Sequence, residues 1–456
     1  MDLKGQKISV IGAGVSGYAL ASLAADHGAD VFVSDAKGIK EERKKIFKEK
    51  NIKWEENGNT DKMLDADKIL VSSGISPNVP ILKEAASRDV SLVGELDFVS
   101  PYISGVVIGV TGSNGKTTVT SMIGHLLEKL GFDCMTAGNI GTPVADAAKS
   151  GKDFIVLELS SFQLQWAEKF SCDIAIVTNL APDHLDWHGS YENYVAAKAN
   201  IIKCLKDGGA AIFQKRDTDA LGIANKKCRS YPLSWDKNDI VRGIFMDVEN
   251  KGAFLENSGS DAKYKLFDFD VVKLLGSHNL ENAAMAVSAL ALLNINDISK
   301  DIISSYSAPE HRCELVGTKN GVTFINDSKG TNVAASITAM SSLPNKKVMI
   351  LGGKGKGEDY APLAQAVKKY ASSAVLLGAE KKKIAAALDT VGCRQYVFAE
   401  SMKDAVEKAY ESANDGETVL LSPACTSWDM YPNFETRGID FCNIVKEIIK
   451  REPQDA

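Results

Sequence analysis

Residues 106–130 read VVIGVTGSNGKTTVTSMIGHLLEKL, an apolar β-branched run, a glycine-rich turn and then a helical apolar period. In a strand–loop–helix of this kind, the backbone N–H groups of the loop and the N-terminal end of the helix form a concave anion site. Lys116 is placed to reach β/γ-phosphates and Thr117 to hold Mg²⁺ through its hydroxyl. The commoner NTPase pattern needs glycine at 110, where this chain has Val110 between Gly109 and Gly112.

Around this segment the chain alternates short apolar runs with helical patterns, which implies parallel sheets with crossover helices. On the N-terminal side, KISVIGAG (7–14), VFVSD (31–35) and KILVSSG (68–74) read as strands, and the stretch from Ser16 to His27 as a helix. Pro, Ser and Gly gather at SPYISG (100–105), which sets a first boundary there. On the C-terminal side, FIVLELS (154–160) and IAIVTNL (174–180) read as buried strands. Residues 210–275 change to short strands with Gly, Asn and Asp turns, which predicts an antiparallel annex, and HNLENAAMAVSALALLN (278–294) is helical. Pro309 in SAPEHRCE (307–314) marks a second boundary. The alternation then resumes with VTFIND (322–327), KKVMILGG (346–353), SAVLLGA (373–379) and TVLLSPA (418–424). The expected architecture is α/β with three consecutive domains. Residues 1–104 are expected to be Rossmann-like, 105–308 a P-loop ATPase-like parallel sheet with a small β annex, and 309–456 Rossmann-like again.

Composition narrows the function class. The chain has 456 residues, 45% hydrophobic and 25% charged, with a formal net charge of −6. A mildly acidic balance argues against a general nucleic-acid binder. The eight cysteines form no C-x-x-C pair, which fits free thiols in a reducing compartment. No run of about 20 apolar residues offers a membrane span, and the first residues lack a signal-like apolar region. A mature, cytoplasmic chain is expected.

Further residues carry candidate chemistry. Gly12, Gly14 and Gly17 complete a G-x-G-x-x-G after a strand, with Asp35 where a ribose-binding acid would sit. Alone this suggests a dinucleotide and an oxidoreductase, but the geometry serves any diphosphate. Glu158 ends an apolar strand and is placed to hold a metal, or else to cap the turn at Ser160 and Ser161. In TNLAPDHLDWHGS (178–190), His184 is either a metal or phosphate contact or part of a loop held by local hydrogen bonds. Lys198 shares a helix face with Tyr191, Tyr194 and Ile201. A snorkelling lysine is the default reading there. Asp327, Lys329, Thr331, Lys354, Lys356 and Ser427 lie at or just beyond the ends of apolar runs, and Arg312 follows the expected linker; together these cations, acid and hydroxyls suit an anionic substrate, and singly each reads equally as a solvated loop residue.

Taken in order, TGSNGKTT (111–118), GNIG (138–141), ELSSFQL (158–164), TNLAPDHLDWHGS, SHNLENAAMA (277–286), EHRCE (310–314), NDSKGTN (326–332) and SPACTSWDMYPNFETRG (422–438) resemble the motifs of the Mur ligases. These are ATP-dependent amide-forming enzymes of peptidoglycan precursor synthesis, and the resemblance runs the length of the chain. Within the family, the N-terminal glycine fingerprint, ELSSFQL and the C-terminal motif resemble the branch that adds D-glutamate to UDP-N-acetylmuramoyl-L-alanine. The resemblance implies ATP, two Mg²⁺ ions, an acyl-phosphate intermediate and a set of contacts. Val15, Ser16, Asp35 and Ser72 would meet the UDP end, and Asn139 and Ser160 the sugar-peptide part. Gly112, Ser113, Asn114, Gly115, Lys116, Thr117 and Thr118 would hold the ATP phosphates. Asn279, Arg312, Asp327 and Lys329 would lie around the nucleotide. Glu158, His184 and Thr117 would bind magnesium, with Lys198 as a carbamate. Thr331, Lys356, Ser427 and Phe434 would receive D-glutamate, and a monomer is expected. Lys354 stands where related enzymes lead one to expect an acid.

Overall fold

The computed structural model describes residues 2–139, 141–222, 228–256, 263–307 and 309–451. Its first sheet holds β1 (Lys7–Ile11), β2 (Asp30–Ser34), β3 (Lys53–Glu55), β4 (Lys68–Val71) and β5 (Ser91–Gly94), all parallel, in the order β3-β2-β1-β4-β5. Val10, Val33 and Leu70 are fully buried at its centre. The strand order reverses at β1, and a crevice at the carboxyl ends of the strands on either side of such a switch is where open α/β sheets bind ligands. Gly12 follows β1, Asp35 follows β2 and Ser72 follows β4, so the sequence places all three at that crevice.

The second sheet holds β6 (Val106–Thr111), β7 (Cys134–Gly138), β8 (Phe154–Glu158), β9 (Cys172–Val177), β10 (Leu205–Gln214), β11 (Arg229–Ser234), β12 (Gly243–Asp247), β13 (Gly252–Glu256) and β14 (Lys263–Asp268). Their order is β14-β13-β12-β11-β10-β9-β6-β8-β7. β6 lies between β8 and β9, so the loop after it opens beside the ends of both neighbours. The expected antiparallel annex is corrected here. β10 pairs parallel to β9, β11 to β10 and β12 to β11, so these strands extend the main sheet. Only the pairs β12–β13 and β13–β14 are antiparallel. The parts of the annex at 223–227 and 257–262 lie outside the described residues, as do Ile140 of the GNIG motif and Ala308 at the second boundary.

The third sheet holds β15 (Glu314–Lys319), β16 (Val322–Asn326), β17 (Lys347–Gly352), β18 (Ala371–Leu377), β19 (Tyr396–Phe398) and β20 (Thr418–Leu421), in the order β15-β16-β20-β17-β18-β19. All pairs are parallel except β15 with β16. The chain forms two compact units. One comprises Met1–Leu180, Glu192–Val271 and Asn282–Tyr306; the other comprises Ala181–Tyr191, Val272–Glu281 and Ser307–Ala456. The first two sheets belong to the first unit and share a hydrophobic core, in which Leu20, Leu96, Ala145 and Leu164 are buried together. No helix among the described residues is long and apolar enough to cross a membrane.

Candidate active site

In the first unit, Gly12–Gly17 and the ends of β2 and β4 enclose a 430 Å³ cleft lined by Val15, Ser16, Asp35, Ser72 and Ser73. The four expected UDP contacts therefore share one cleft. The loop conformation depends on glycine, because a Cβ on Gly17 would run into the Gly12 carbonyl oxygen. Asp35 is pinned by the Ala13 N–H, 2.6 Å from Oδ2, and by the Lys37 N–H, 2.8 Å from Oδ1. Ser72 Oγ donates to the Ile11 carbonyl at 2.9 Å.

The phosphate loop follows β6. Gly112 has φ +140°, a conformation L side chains rarely adopt, and a Cβ there would collide with Thr178 Oγ1. Gly115, at φ +82°, precedes the helix Lys116–Lys129, and no side chain caps that helix. The Ser113 N–H donates to the Asn179 carbonyl at 2.9 Å, the Asn114 N–H to Asn179 Oδ1 at 3.1 Å, and Ser113 Oγ meets Tyr194 Oη at 2.9 Å. Thr118 is buried. Lys116 Nζ folds back on its own loop, 2.8 Å from the Gly112 carbonyl and 2.9 Å from that of Ser113. An arriving phosphate would compete for this ammonium.

Glu158 is only 2% exposed, at the end of β8 beside the loop. Thr117 Oγ1 donates to its Oε2 at 2.6 Å, and Asn139 Nδ2 to its Oε1 at 2.9 Å. The capping role open to Glu158 falls instead to Ser160. Ser160 and Gln163 form a capping box at the helix Ser161–Leu164, in which Gln163 Oε1 accepts from Ser160 N–H at 2.9 Å and from Ser160 Oγ at 3.1 Å. Thr117 and Glu158 are hard oxygen donors next to a phosphate cradle, a donor set that fits Mg²⁺.

The snorkelling reading of Lys198 is corrected by the structure. Tyr194, Lys198 and Ile201 form the buried face of the helix Tyr191–Lys203, and Lys198 is 2% exposed. Its Nζ donates to the Gly112 carbonyl at 2.7 Å and to Thr111 Oγ1 at 3.4 Å, and stands 4.8 Å from the Tyr194 ring centroid. Burying a charged amine is costly unless it is bonded or chemically altered, and here its head reaches the phosphate loop.

The second unit gathers the remaining candidates. His184 has φ +51° and precedes the short helix Leu185–His188; its Nε2 is 3.6 Å from Asp183 Oδ2. Asp183 Oδ1 accepts from Lys356 Nζ at 2.9 Å and Oδ2 from Asn332 Nδ2 at 3.2 Å. One expected glutamate contact, Lys356, lies on this network, and Thr331 precedes Asn332 in the chain. Asp327 accepts from Ser422 Oγ at 2.6 Å. Burial pushes its carboxyl up to about 6, against hydrogen bonds from Ser422 and Cys313 and the charge of Arg312. Lys329 Nζ lies 3.8 Å above the Phe434 ring centroid. Asn279 is buried and donates to the Leu275 carbonyl at 2.7 Å. Ser427 is 2% exposed, and its hydroxyl has no partner among the described residues. Lys354 has an exposed side chain, and its backbone pairs with Thr426.

Three residues escaped sequence reasoning. Buried Arg437 donates to Ser328 Oγ at 2.9 Å, to the Ser328 carbonyl at 2.7 Å and to the Cys425 carbonyl at 3.1 Å, locking the turn that carries Lys329 to the segment before Ser427. Its place in NFETRG was visible, but its direction was not. Asp183 stood in the quoted motif as one acid among several. Glu95 carried no local signal.

Three family descriptions match the chain: MurD N-terminal domain over residues 7–81, Mur ligase middle domain over 110–290, and the Mur ligase, glutamate ligase domain over 311–425. The UDP-N-acetylmuramoylalanine--D-glutamate ligase of Christiangramia forsetii is 38% identical, over 97% of this chain and 100% of its own. That of Thermoanaerobacter pseudethanolicus is 36% identical, over 98% and 100%. Among solved structures, MurF from Acinetobacter baumannii aligns with a TM-score of 0.60 at 16% identity, covering 96% of this chain and 91% of that one. MurF ligase from Thermotoga maritima in complex with ADP aligns at 0.58 and 16%, covering 98% and 96%. At such identities the solved structures speak for the fold alone. The identity to full-length relatives, together with three domain matches in order, makes this chain a member of the Mur ligase family.

Proposed function

We propose that this Mur ligase joins D-glutamate to UDP-N-acetylmuramoyl-L-alanine, coupled to the cleavage of ATP to ADP and phosphate. In this reading residues 1–104 take the UDP end, 105–308 hold ATP and 309–456 receive the amino acid, in a cytoplasmic monomer. The observation that carries it is the Thr117–Glu158 pair, 2.6 Å apart at the rim of a phosphate loop. The relatives' shared name supports the choice of acceptor.

The substrate carboxylate attacks the γ-phosphorus of ATP, and ADP leaves. The amine of D-glutamate then attacks the acyl-phosphate carbon, phosphate leaves with the C–O bond pair, and the nitrogen loses a proton to give the amide. The uncapped N-terminal end of the helix Lys116–Lys129 and the Lys116 ammonium hold the transferring phosphoryl group in place. Two Mg²⁺ ions, when bound, neutralise charge that develops on the phosphoryl oxygens. Thr117 and Glu158 are assigned to hold them, with His184 and Lys198 carried over from the family's motifs. Lys198 serves that role as a carbamate: its neutral amine adds to carbon dioxide and loses a proton, which exchanges a cation for an anion. Ser160 and Asn139 orient the acyl end, while Thr331, Lys356, Ser427 and Phe434 hold D-glutamate. Asn279, Arg312, Asp327 and Lys329 flank the nucleotide.

Phosphate release from Mg-ATP should require both UDP-N-acetylmuramoyl-L-alanine and D-glutamate. Release with L-lysine or diaminopimelate in place of D-glutamate would overturn the acceptor assignment. Release with no amino acid would overturn it too.

A further inference from the structure

Arg437 is a buried charge that the mechanism above does not use. It lies on the helix Phe434–Lys450 and is 3% exposed. Its hydrogen bonds all go to uncharged oxygens: the Ser328 hydroxyl, the Ser328 carbonyl and the Cys425 carbonyl. Each terminal nitrogen of a guanidinium carries a pair of N–H groups. Here each uses only one of them, so the other has no acceptor among the described residues. No carboxylate among the described residues lies within ion-pair distance, and Asp429 and Asp327 act on it only from farther off. Burial brings the guanidinium down to about 10. A buried cation without a close counter-ion is costly to keep.

The guanidinium stands behind Ser427. Its Nη1 donates to the Cys425 carbonyl at 3.1 Å, two residues before Ser427 in the chain. Arg437, Ser427, Gly353 and Asp429 line one cavity of about 10 Å³, the size of a single water molecule. Gly353 leaves Nη1 bare on that side, since a Cβ there would lie 3.3 Å from it. Asp429 is engaged elsewhere, accepting from the Ala379 N–H at 2.7 Å through Oδ2. Ser427 is buried, and its hydroxyl has no partner among the described residues. The cavity is too small for a carboxylate, so Arg437 acts on a ligand of Ser427 from behind and not by contact.

A hydroxyl donates to an amide oxygen as well as to a carboxylate, so Ser427 alone does not separate glutamate from glutamine. Lys356 is already matched by Asp183 at 2.9 Å. The uncompensated charge beside Ser427 is that of Arg437, and in a low-dielectric interior such a charge is felt well beyond contact distance. We propose that Arg437 is the specificity-determining charge of the acceptor site: acting across Ser427, it favours an amino acid with a second carboxylate over its neutral isostere. The proposal rests on the acceptor reading above.

The test compares D-glutamate with D-glutamine as acceptors, at saturating Mg-ATP and UDP-N-acetylmuramoyl-L-alanine, by following amide formation. The wild-type protein should prefer D-glutamate by about a hundredfold or more in kcat/KM. Arg437→Gln should lower the efficiency with D-glutamate about thirtyfold more than with D-glutamine, chiefly through KM. Arg437→Lys keeps the charge but breaks the fork of bonds to Ser328 and Cys425, and should hold the preference to within about threefold. A purely structural Arg437 would instead lower both acceptors together, and lysine would serve no better than glutamine. Ser328→Asp supplies the missing counter-ion without removing Arg437 and should collapse the preference too, which keeps the test open if Arg437→Gln folds poorly. A preference that survives Arg437→Gln or Ser328→Asp, or equal losses for both acceptors, would overturn the proposal. So would wild-type protein that took D-glutamine as readily as D-glutamate. Wild-type protein that used neither acceptor would overturn the acceptor reading itself, whatever the variants did.

Discussion

Lys198 shows how much a single side chain's environment decides. Its four-carbon stem lies on the apolar face of a helix, where its sequence neighbours predicted a surface-seeking cation, yet its head meets the Gly112 carbonyl inside the protein. Lys198→Ala is expected to lower turnover about a hundredfold or more through lost charge stabilisation. Short carboxylic acids should restore part of it, because they supply the missing anion; an unrescued variant would deny the carbamate. Glu358 offers a second test. Burial, helped by the nearby Asp183 and opposed by the Val333 N–H and Lys356, raises its carboxyl to about 7. A folded-state value above the ordinary one means that the native protein binds the extra proton. Its contribution is therefore favourable at low pH and is lost as pH rises toward about 7. Relative to wild type, Glu358→Gln should be more stable by about 1–2 kcal/mol at about pH 8, after a discount for partial exposure, and near neutral at about pH 5. Urea unfolding at the two pH values measures this, and an equal difference at both would contradict it.

At the scale of elements, the sites were legible where a local rule governs them. A strand that ends in glycines and feeds a helix is a phosphate loop by short-range geometry, so Gly112–Thr118 could be found without a fold. Gly112→Ala is expected to cost about 2–4 kcal/mol of stability, from the φ of +140° and the collision with Thr178, and to abolish ATP binding. Calorimetric ATP binding and urea unfolding of the variant check both parts. The strands β10 to β12 were misjudged because turn-rich texture reports reversals but not which neighbour a strand will pair with. The short strands β3, β5 and β19 carried too few residues for a period to register. Glu95 and Arg437 were invisible for a related reason. Each acts across the fold, on Gln163 in one case and on Ser328 and Cys425 in the other, and no local spacing encodes such meetings.

For the whole molecule, the two switch points in the first unit define the account. One cleft at the end of β1 suits a diphosphate, and one loop at the end of β6 suits ATP, with Glu158 and Lys198 beside it. The N-terminal fingerprint alone would have favoured a dinucleotide oxidoreductase; the family match along the chain decides against that. The central claim is that ATP activates a carboxylate as an acyl phosphate, not that it is hydrolysed alongside amide formation. The most direct measurement uses UDP-N-acetylmuramoyl-L-alanine labelled with oxygen-18 in its carboxylate, followed by mass analysis of the released phosphate. The account predicts one labelled oxygen in the phosphate for each amide formed. Unlabelled phosphate, with the oxygen lost on amide formation appearing in water, would contradict it.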